Sequence, residues 1–416
     1  MKNNSYLILK TLIFILVFFP FIMHIYWGIF DIYYANNVMY IWIFLLFFLL
    51  FFKYIESDFE FIKNKEILYI FAIFLVLFLV NSYILGEYKD LMKYSAYIFS
   101  LLFLFNVFMQ NKYFKLYINI VTFFTFTALI LYFYYLLFPA PFSFIVDNLS
   151  LLTLDSSFVT REDWDYSIPY YLLVFPVNDL GANQLSILGL PRFFGMSTEP
   201  TLYSAVVLPT IIMALYFKKY FQALILFFGL LLASSLGALL FGIIGCMFYL
   251  FYRYKLSLFY VLIVLFFLGK STGFYESLLS DSPRMNFYIG GVLNLFSLQS
   301  ISLFADAGYE NVQNIDSAKI FSLVSITLEY GLLQAASYLL IFYVYIKFTL
   351  ITKSKLLFIF SIVSLLILNK SGESLSPLFL FYFSFIYSQY LIFKKSLNNK
   401  QVSVDNIVIL PKINTQ

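Results

Sequence analysis

Long apolar runs, separated by short groups of charged residues, dominate this sequence and restrict the folds that it can adopt. A helix needs about 20 apolar residues to cross the hydrocarbon core of a bilayer. Only 12% of the residues are charged, about half of the usual share in soluble domains. The sequence therefore predicts an all-α, polytopic membrane protein with about 12 transmembrane helices. We assign these spans to residues 9–28, 37–52, 67–85, 94–109, 117–138, 201–217, 221–235, 238–252, 256–269, 321–346, 356–369 and 377–393.

The basic residues predict the orientation of these spans. The stretch 221–252 is too long for one helix; Lys218 and Lys219 precede it, and Arg253 and Lys255 follow it. Lysine and arginine accumulate on the cytoplasmic side of membrane proteins. Both ends of the stretch are therefore expected in the cytoplasm, and the chain is expected to cross the membrane twice here. With this count, both chain termini are cytoplasmic.

The same map predicts one polytopic membrane domain over residues 1–416, with two large extracytoplasmic loops. Loops of this length without a domain of their own are usually either functional or disordered, and Trp164, Tyr166, Tyr170 and Tyr171 argue against disorder in the first one. The predicted order is five helices within 9–138, the first outer loop at 139–200, four helices within 201–269, the second outer loop at 270–320, three helices within 321–393 and a cytoplasmic tail at 394–416.

Several functional classes are excluded by composition and motifs. The single cysteine, Cys246, permits no internal disulfide, and a single histidine, His24, disfavours a zinc site of the usual kind. No nucleotide-binding motif is present. We expect no cofactor, no metal and no nucleic-acid partner, although Asp163 and Asp165 in the first outer loop leave a metal site open as an alternative.

Three of the four arginines fall in the predicted outer loops. They are Arg161, Arg192 and Arg284, whereas Arg253 is predicted to be cytoplasmic. Arginine offers a planar set of donors that suits bidentate contact with phosphate, and its charge is not lost near hydrocarbon. This distribution favours an anionic, diphosphate-type site at the outer membrane surface.

Acidic neighbours offer a simpler explanation for two of these arginines. Arg161 stands beside Glu162 and Asp163, and Arg284 follows Asp281 closely, so each can form a local ion pair. We regard local pairing as an open alternative for both positions.

The stretch around Glu199 also has a purely structural interpretation. Ser197 can cap a helix, Pro200 suits the first helical turn, and a carboxylate there meets the positive end of the helix dipole. A helix start does not explain Arg192, nor Gly195, which lets the backbone turn tightly or a ligand approach closely.

The stretch RFFGMSTEP, residues 192–200, resembles the R-x2-G-x3-E-P stretch of Wzy-type O-antigen and capsular polysaccharide polymerases, which belong to the O-antigen polymerase/ligase superfamily. The helix number and the two arginine-bearing outer loops are similar as well. LEYGLLQ (328–334) resembles a stretch in the last quarter of these proteins. ASSLGALL (233–240) resembles a segment that often carries arginine where this chain has Leu236.

The resemblance implies a glycosyltransferase of the bacterial inner membrane with its active site facing the periplasm. Such a polymerase transfers a growing glycan from undecaprenyl diphosphate onto a lipid-linked oligosaccharide repeat unit. Its partners would be these lipid-linked substrates, membrane lipid, a chain-length regulator and a flippase.

Specific roles follow for the motif residues under this resemblance. As the sugar–phosphate bond breaks, negative charge grows on the diphosphate, and fixed arginines stabilise it most in the transition state. We assign Arg192 and Arg284 to the diphosphates, Arg161 a secondary contact, and Glu199 the role of base or acceptor-orienting group. Gly195 and Pro200 are structural members of the motif.

Glu329 is a further candidate, because it falls roughly eight residues into the tenth span. An ionisable group at that depth is a functional candidate by default. The alternative is structural, with Glu329 bonded to a neighbouring helix.

Three other functions compete with the polymerase. A lipid-linked oligosaccharide flippase would show two similar halves and a charged central cavity, and neither is evident. The superfamily's ligases rely on a histidine in the second large loop, which this chain lacks. A structural membrane protein without chemistry is the third alternative.

Overall fold

The computed structural model describes residues 65–86, 111–138, 200–233, 241–249, 302–305, 322–370 and 377–407, with single positions or pairs in between. The predicted spans 9–28, 37–52 and 256–269, and all of 94–109 except Ser95, lie outside the described residues. Eight helices are described: α1 (Lys65–Leu85), α2 (Asn111–Leu137), α3 (Pro200–Tyr216), α4 (Tyr220–Ala233), α5 (241–249), α6 (Ser322–Thr352), α7 (Lys355–Lys370) and α8 (Pro377–Ile407).

The described helices coincide with predicted spans, and the described part of the chain is almost entirely helical. Among these residues, three helices are long and apolar enough to cross a membrane: Lys65–Leu85, Asn111–Leu137 and Tyr330–Thr352. Among the helix ends that the structure defines, three differ from the prediction by more than two residues. Helix α2 begins at residue 111 rather than 117, α6 extends to residue 352 rather than 346, and α8 continues to residue 407, into the predicted tail.

The first predicted outer loop contains a short strand pair. Strand β1 (Thr153–Leu154) pairs antiparallel with β2 (Ile168–Pro169), with Thr153 opposite Pro169 and Leu154 opposite Ile168. Each strand has only two residues, so the described part of the chain keeps the predicted helical class.

Helix α3 lies at the centre of the described bundle. It packs against α2, α4 and α7, and α6 packs against α1, α7 and α8. Aromatic side chains fill the interior: Phe74, Phe78, Tyr117, Tyr132, Tyr203, Tyr338, Tyr345 and Tyr382 are all almost fully buried. Aromatic rings of this size bury large apolar areas between the helices.

Pro209 creates a specific link between α3 and α8. A proline has no N–H, so Pro209 cannot bond to the carbonyl of Ala205 four residues earlier. The Tyr382 hydroxyl lies 3.2 Å from the carbonyl oxygens of both Ala205 and Val206 and donates towards the two, and it is 3.4 Å from the Tyr117 hydroxyl. The buried tyrosine therefore satisfies a carbonyl that the helix itself leaves open.

Most lysines of the described helices lie at one end of the bundle, whereas Lys370, the last residue of α7, lies at the other. Lys219 donates to the Lys115 carbonyl and to Asn119, joining the α3–α4 turn to the start of α2. Burial, and after it the nearby charge of Lys115, lowers the pKa of Lys219. Lys347 pairs with Glu66 at 2.6 Å, joining the end of α6 to the start of α1. We call this the lysine end of the bundle.

The outward faces of these helices are apolar rather than charged. Large apolar side chains are exposed along α1, α2, α4 and α6, whereas their inward faces are buried. A soluble protein rarely exposes so much contiguous apolar surface, and hydrocarbon is the solvent that suits it. Examples are Tyr69, Val76, Tyr83, Phe123, Phe126, Ile130, Phe221, Leu224, Phe227, Leu339 and Tyr343.

Candidate functional site

Two residues of the RFFGMSTEP region are tied to the bundle by hydrogen bonds. The Tyr132 hydroxyl donates to the Pro191 carbonyl at 2.6 Å, and the Phe193 N–H donates to the Leu232 carbonyl at 3.2 Å. Tyr132 belongs to α2 and Leu232 to α4. The chain on both sides of residue 192 is therefore held by two different helices.

The side chain of Phe193 is the apolar anchor of this segment. It is completely buried, and its ring lies edge-on against Tyr132 (centroids 5.4 Å apart) and Tyr203 (5.5 Å apart). Edge-to-face pairs at these separations are favourable beyond the area that they bury. The Tyr203 hydroxyl in turn donates to Thr125 of α2 at 3.4 Å. Helices α2 and α3 thus supply an aromatic socket for Phe193, and α4 holds its backbone N–H through the Leu232 carbonyl.

Gly195 and Pro200 each fit the local backbone for a physical reason. Gly195 has φ +68°, in the left-handed region, and a Cβ there would overlap the ring of Tyr203. Helix α3 begins at Pro200, where the missing N–H costs nothing because first-turn N–H groups have no partner within the helix. A tight turn and a proline therefore bring the chain from Phe193 into α3.

The anchored segment lies at the bundle end opposite the lysine end. It meets α2 and α4 near their last residues and α3 at its first. Lys115 and Lys219 mark the other end of the same helices. Arg192 and Glu199, like Arg161 and Arg284, lie outside the described residues.

A second polar cluster lies at a break in α6. Gly331 has φ +83° and ψ 174°, which interrupts the helix. The N–H groups of Leu332 and Leu333 donate to the carbonyls of Ser302 and Leu303, at 3.0 and 3.2 Å. In a continuous helix they would donate four residues back along the same chain. Residues 302 and 303, inside the second predicted outer loop, therefore supply carbonyls in place of the helix's own.

Asn81 of α1 holds this arrangement from a third direction. Its amide NH2 donates to the Tyr330 carbonyl at 3.0 Å and to Gln334 at 3.4 Å, and its oxygen accepts the Ala305 N–H at 3.0 Å. Asn81 and Gln334 are both buried. One side chain therefore connects α1, α6 and residues 302–305, a segment that we call the docked segment.

Glu329 lies beside this cluster in the sequence. Its backbone is helical within α6, two residues before Gly331, while its side chain lies outside the described residues. The break and the role of Asn81 were not predicted. An asparagine and a glycine inside apolar runs were the available signals, since polar residues at such positions usually serve a purpose.

The described residues contain no group of three or more His, Cys, Asp or Glu side chains that could hold a metal ion. Comparison of the chain with protein-family models, with curated proteins and with solved structures found no match.

Proposed function

We propose that this chain is a polysaccharide polymerase of the bacterial inner membrane, with about 12 transmembrane helices and a periplasmic active site. It would transfer a growing glycan from undecaprenyl diphosphate onto a lipid-linked repeat unit. The observation that carries the proposal is the anchoring of Pro191, Phe193 and Gly195 at the bundle end opposite the lysine end. If the lysine end is cytoplasmic, as basic residues favour, the segment that contains Arg192 is periplasmic.

The proposed chemistry uses only what this compartment supplies. The bond between the donor sugar and its diphosphate breaks, and the diphosphate is the leaving group. The reaction therefore needs no nucleotide. Arg192, with Arg284 and secondarily Arg161, would stabilise the charge that develops on the departing diphosphate. Glu199 would accept the proton of the acceptor hydroxyl. The residues on both sides of Arg192 are anchored. The backbone there therefore has less conformational freedom to lose when the arginine stabilises charge during the reaction.

Replacing Arg192 with alanine is expected to abolish long glycan chains and to leave single repeat units. Loss of one charge-stabilising group at a reacting centre costs about 10²–10³ in rate. The measurement is gel analysis of the surface glycan in a strain whose own copy of the gene has been deleted and replaced by the variant. Arg253→Ala, at an arginine predicted to face the cytoplasm, is the matched control and should keep long chains.

Protein quantity in the membrane must be equal for the two variants. A full-length glycan ladder from Arg192→Ala at equal quantity would contradict the assignment of Arg192 and the function built on it.

A lipid-linked oligosaccharide transporter is the second candidate, because the break in α6 is a feature of many transporters, whose discontinuous helices form substrate sites. Here the freed N–H groups of Leu332 and Leu333 are occupied by the docked segment, which speaks against an open site. Deleting the gene separates the functions. Polymerase loss leaves cores with one repeat unit, flippase loss leaves bare cores without polymer, and ligase loss leaves bare cores with accumulated lipid-linked polymer.

A further inference from the structure

We propose that Asn81 is a positioning residue that fastens the second outer loop to the break in α6, and that polymer formation requires this attachment. The inference rests on the proposed function for its second half. Its first half, the attachment itself, concerns only the described residues and can be tested without any glycan.

Asn81 is the side chain through which the three elements meet. Its donor and acceptor groups are used on opposite partners: the amide donates to α6, and the oxygen accepts from the docked segment. A leucine would fill the same space but would leave the Tyr330 carbonyl and the Ala305 N–H without these bonds. Both groups lie in a buried environment, where each lost bond is costly.

Gln334 supports the same arrangement from within α6. Its side-chain oxygen accepts from Asn81 at 3.4 Å, and its amide lies 3.4 Å from the Phe74 carbonyl of α1. These bonds tie α1 to the part of α6 that follows the break. The rotamer of Asn81 is thus restricted by a neighbour, which favours a fixed position for the docked segment.

The attachment bears on the proposed site through two chain connections. The Tyr330 carbonyl that Asn81 holds belongs to the residue next to Glu329. The docked segment is continuous with the predicted loop that carries Arg284. We propose that Asn81 affects the reaction by fixing the backbone next to Glu329 and one segment of the loop to which Arg284 belongs.

The attachment can be measured by the reactivity of a cysteine placed at Ala305. Ala305 is buried, with 7% of its surface exposed. In a Cys246→Ser background, Ala305→Cys should react slowly with a membrane-impermeant maleimide while Asn81 is present. Asn81→Leu should raise the labelling rate by about tenfold or more, since losing a buried hydrogen bond shifts such an opening equilibrium on that scale. The same variant should lose long glycan chains.

Ser82→Ala is the matched control. Ser82 is the neighbour of Asn81, is equally buried, and its hydroxyl has no hydrogen-bond partner among the described residues. Its removal should change neither the labelling of the thiol introduced at position 305 nor the glycan. Asn81→Asp, which keeps the size and an acceptor oxygen, should label faster than the parent and more slowly than Asn81→Leu, and it takes over the test if the leucine variant does not accumulate.

The outcomes separate the inference from the proposed function. Unchanged labelling in Asn81→Leu, or in Asn81→Asp when that variant is used, would overturn the attachment. Faster labelling with a normal glycan ladder would overturn its requirement for polymer formation. Failure of the polymerase proposal would appear in Arg192→Ala instead, as a full-length ladder, with the labelling at position 305 unaffected.

Discussion

Replacing Gly331 with alanine is expected to detach the docked segment from α6 and to abolish polymer formation. The backbone at Gly331, with φ +83° and ψ 174°, lies in a region that is essentially restricted to glycine, where another residue costs about 1–3 kcal/mol. An added Cβ would also lie 2.7 Å from the Leu303 oxygen and from the carbonyl of Phe304.

These contacts are with backbone atoms, which cannot move aside as a flexible side chain can. The Leu303 carbonyl is held by the Leu333 N–H, so relief of the overlap requires the break itself to open. The measurement is the maleimide labelling rate in the Ala305→Cys background together with the glycan gel.

Gly242→Ala is the matched control for this prediction. Gly242 is helical, and a Cβ there would meet nothing nearer than Leu208 at 3.7 Å, an ordinary contact. Gly242→Ala should have little effect on the maleimide labelling rate at position 305 or on the glycan ladder. Slow labelling at position 305 and a normal ladder in Gly331→Ala would show that the break tolerates a side chain and would contradict this description of it.

Replacing Gly195 with alanine should disturb the segment around Arg192 most directly. Left-handed backbone costs a residue with a side chain about 1–2 kcal/mol, and overpacking against a buried ring adds about 1–3 kcal/mol. The ring is that of Tyr203, which also packs against Phe193. We therefore expect a lower free energy of unfolding, measured by loss of purified folded protein on heating, and a loss of long glycan chains.

Gly86→Ala separates the cost of left-handed backbone from the cost of overpacking against Tyr203. Gly86 has φ +70°, close to that of Gly195, but a Cβ there would have nothing within 4 Å. It should show the backbone cost alone and keep the glycan. If Gly195→Ala behaves like Gly86→Ala in both respects, the contact with Tyr203 does not determine the position of the segment.

Several helices could be predicted closely from the sequence because their apolar runs are as long as the helices that they form. The run assigned to residues 67–85 is α1, Lys65–Leu85, and the run assigned to 356–369 is α7, Lys355–Lys370. Both helices begin at a lysine, and this charged residue ends the apolar run on that side. The extension of α8 to Ile407 was missed because its last turns are polar, and hydropathy alone then ends the prediction early.

The tertiary contacts around the site could not be predicted in the same way. The motif directed attention to Arg192 and Glu199, whereas the anchor of the segment is Phe193, one of very many phenylalanines in the chain. The residues next to a phenylalanine in the sequence do not indicate whether it will pack between helices that come from distant parts of the chain. The bond from Asn81 to Ala305 joins residues 224 positions apart, and no periodicity reports a contact at that separation.

The most direct test of the central claim is reconstitution of the purified chain in liposomes that contain lipid-linked repeat units alone. The same lipid-linked units serve there as donor and acceptor. The account predicts a ladder of longer lipid-linked glycans, with one undecaprenyl diphosphate released for each bond formed, and no ladder from the Arg192→Ala variant. Movement of single repeat units to the opposite leaflet, without chain extension, would contradict the account and identify a transporter.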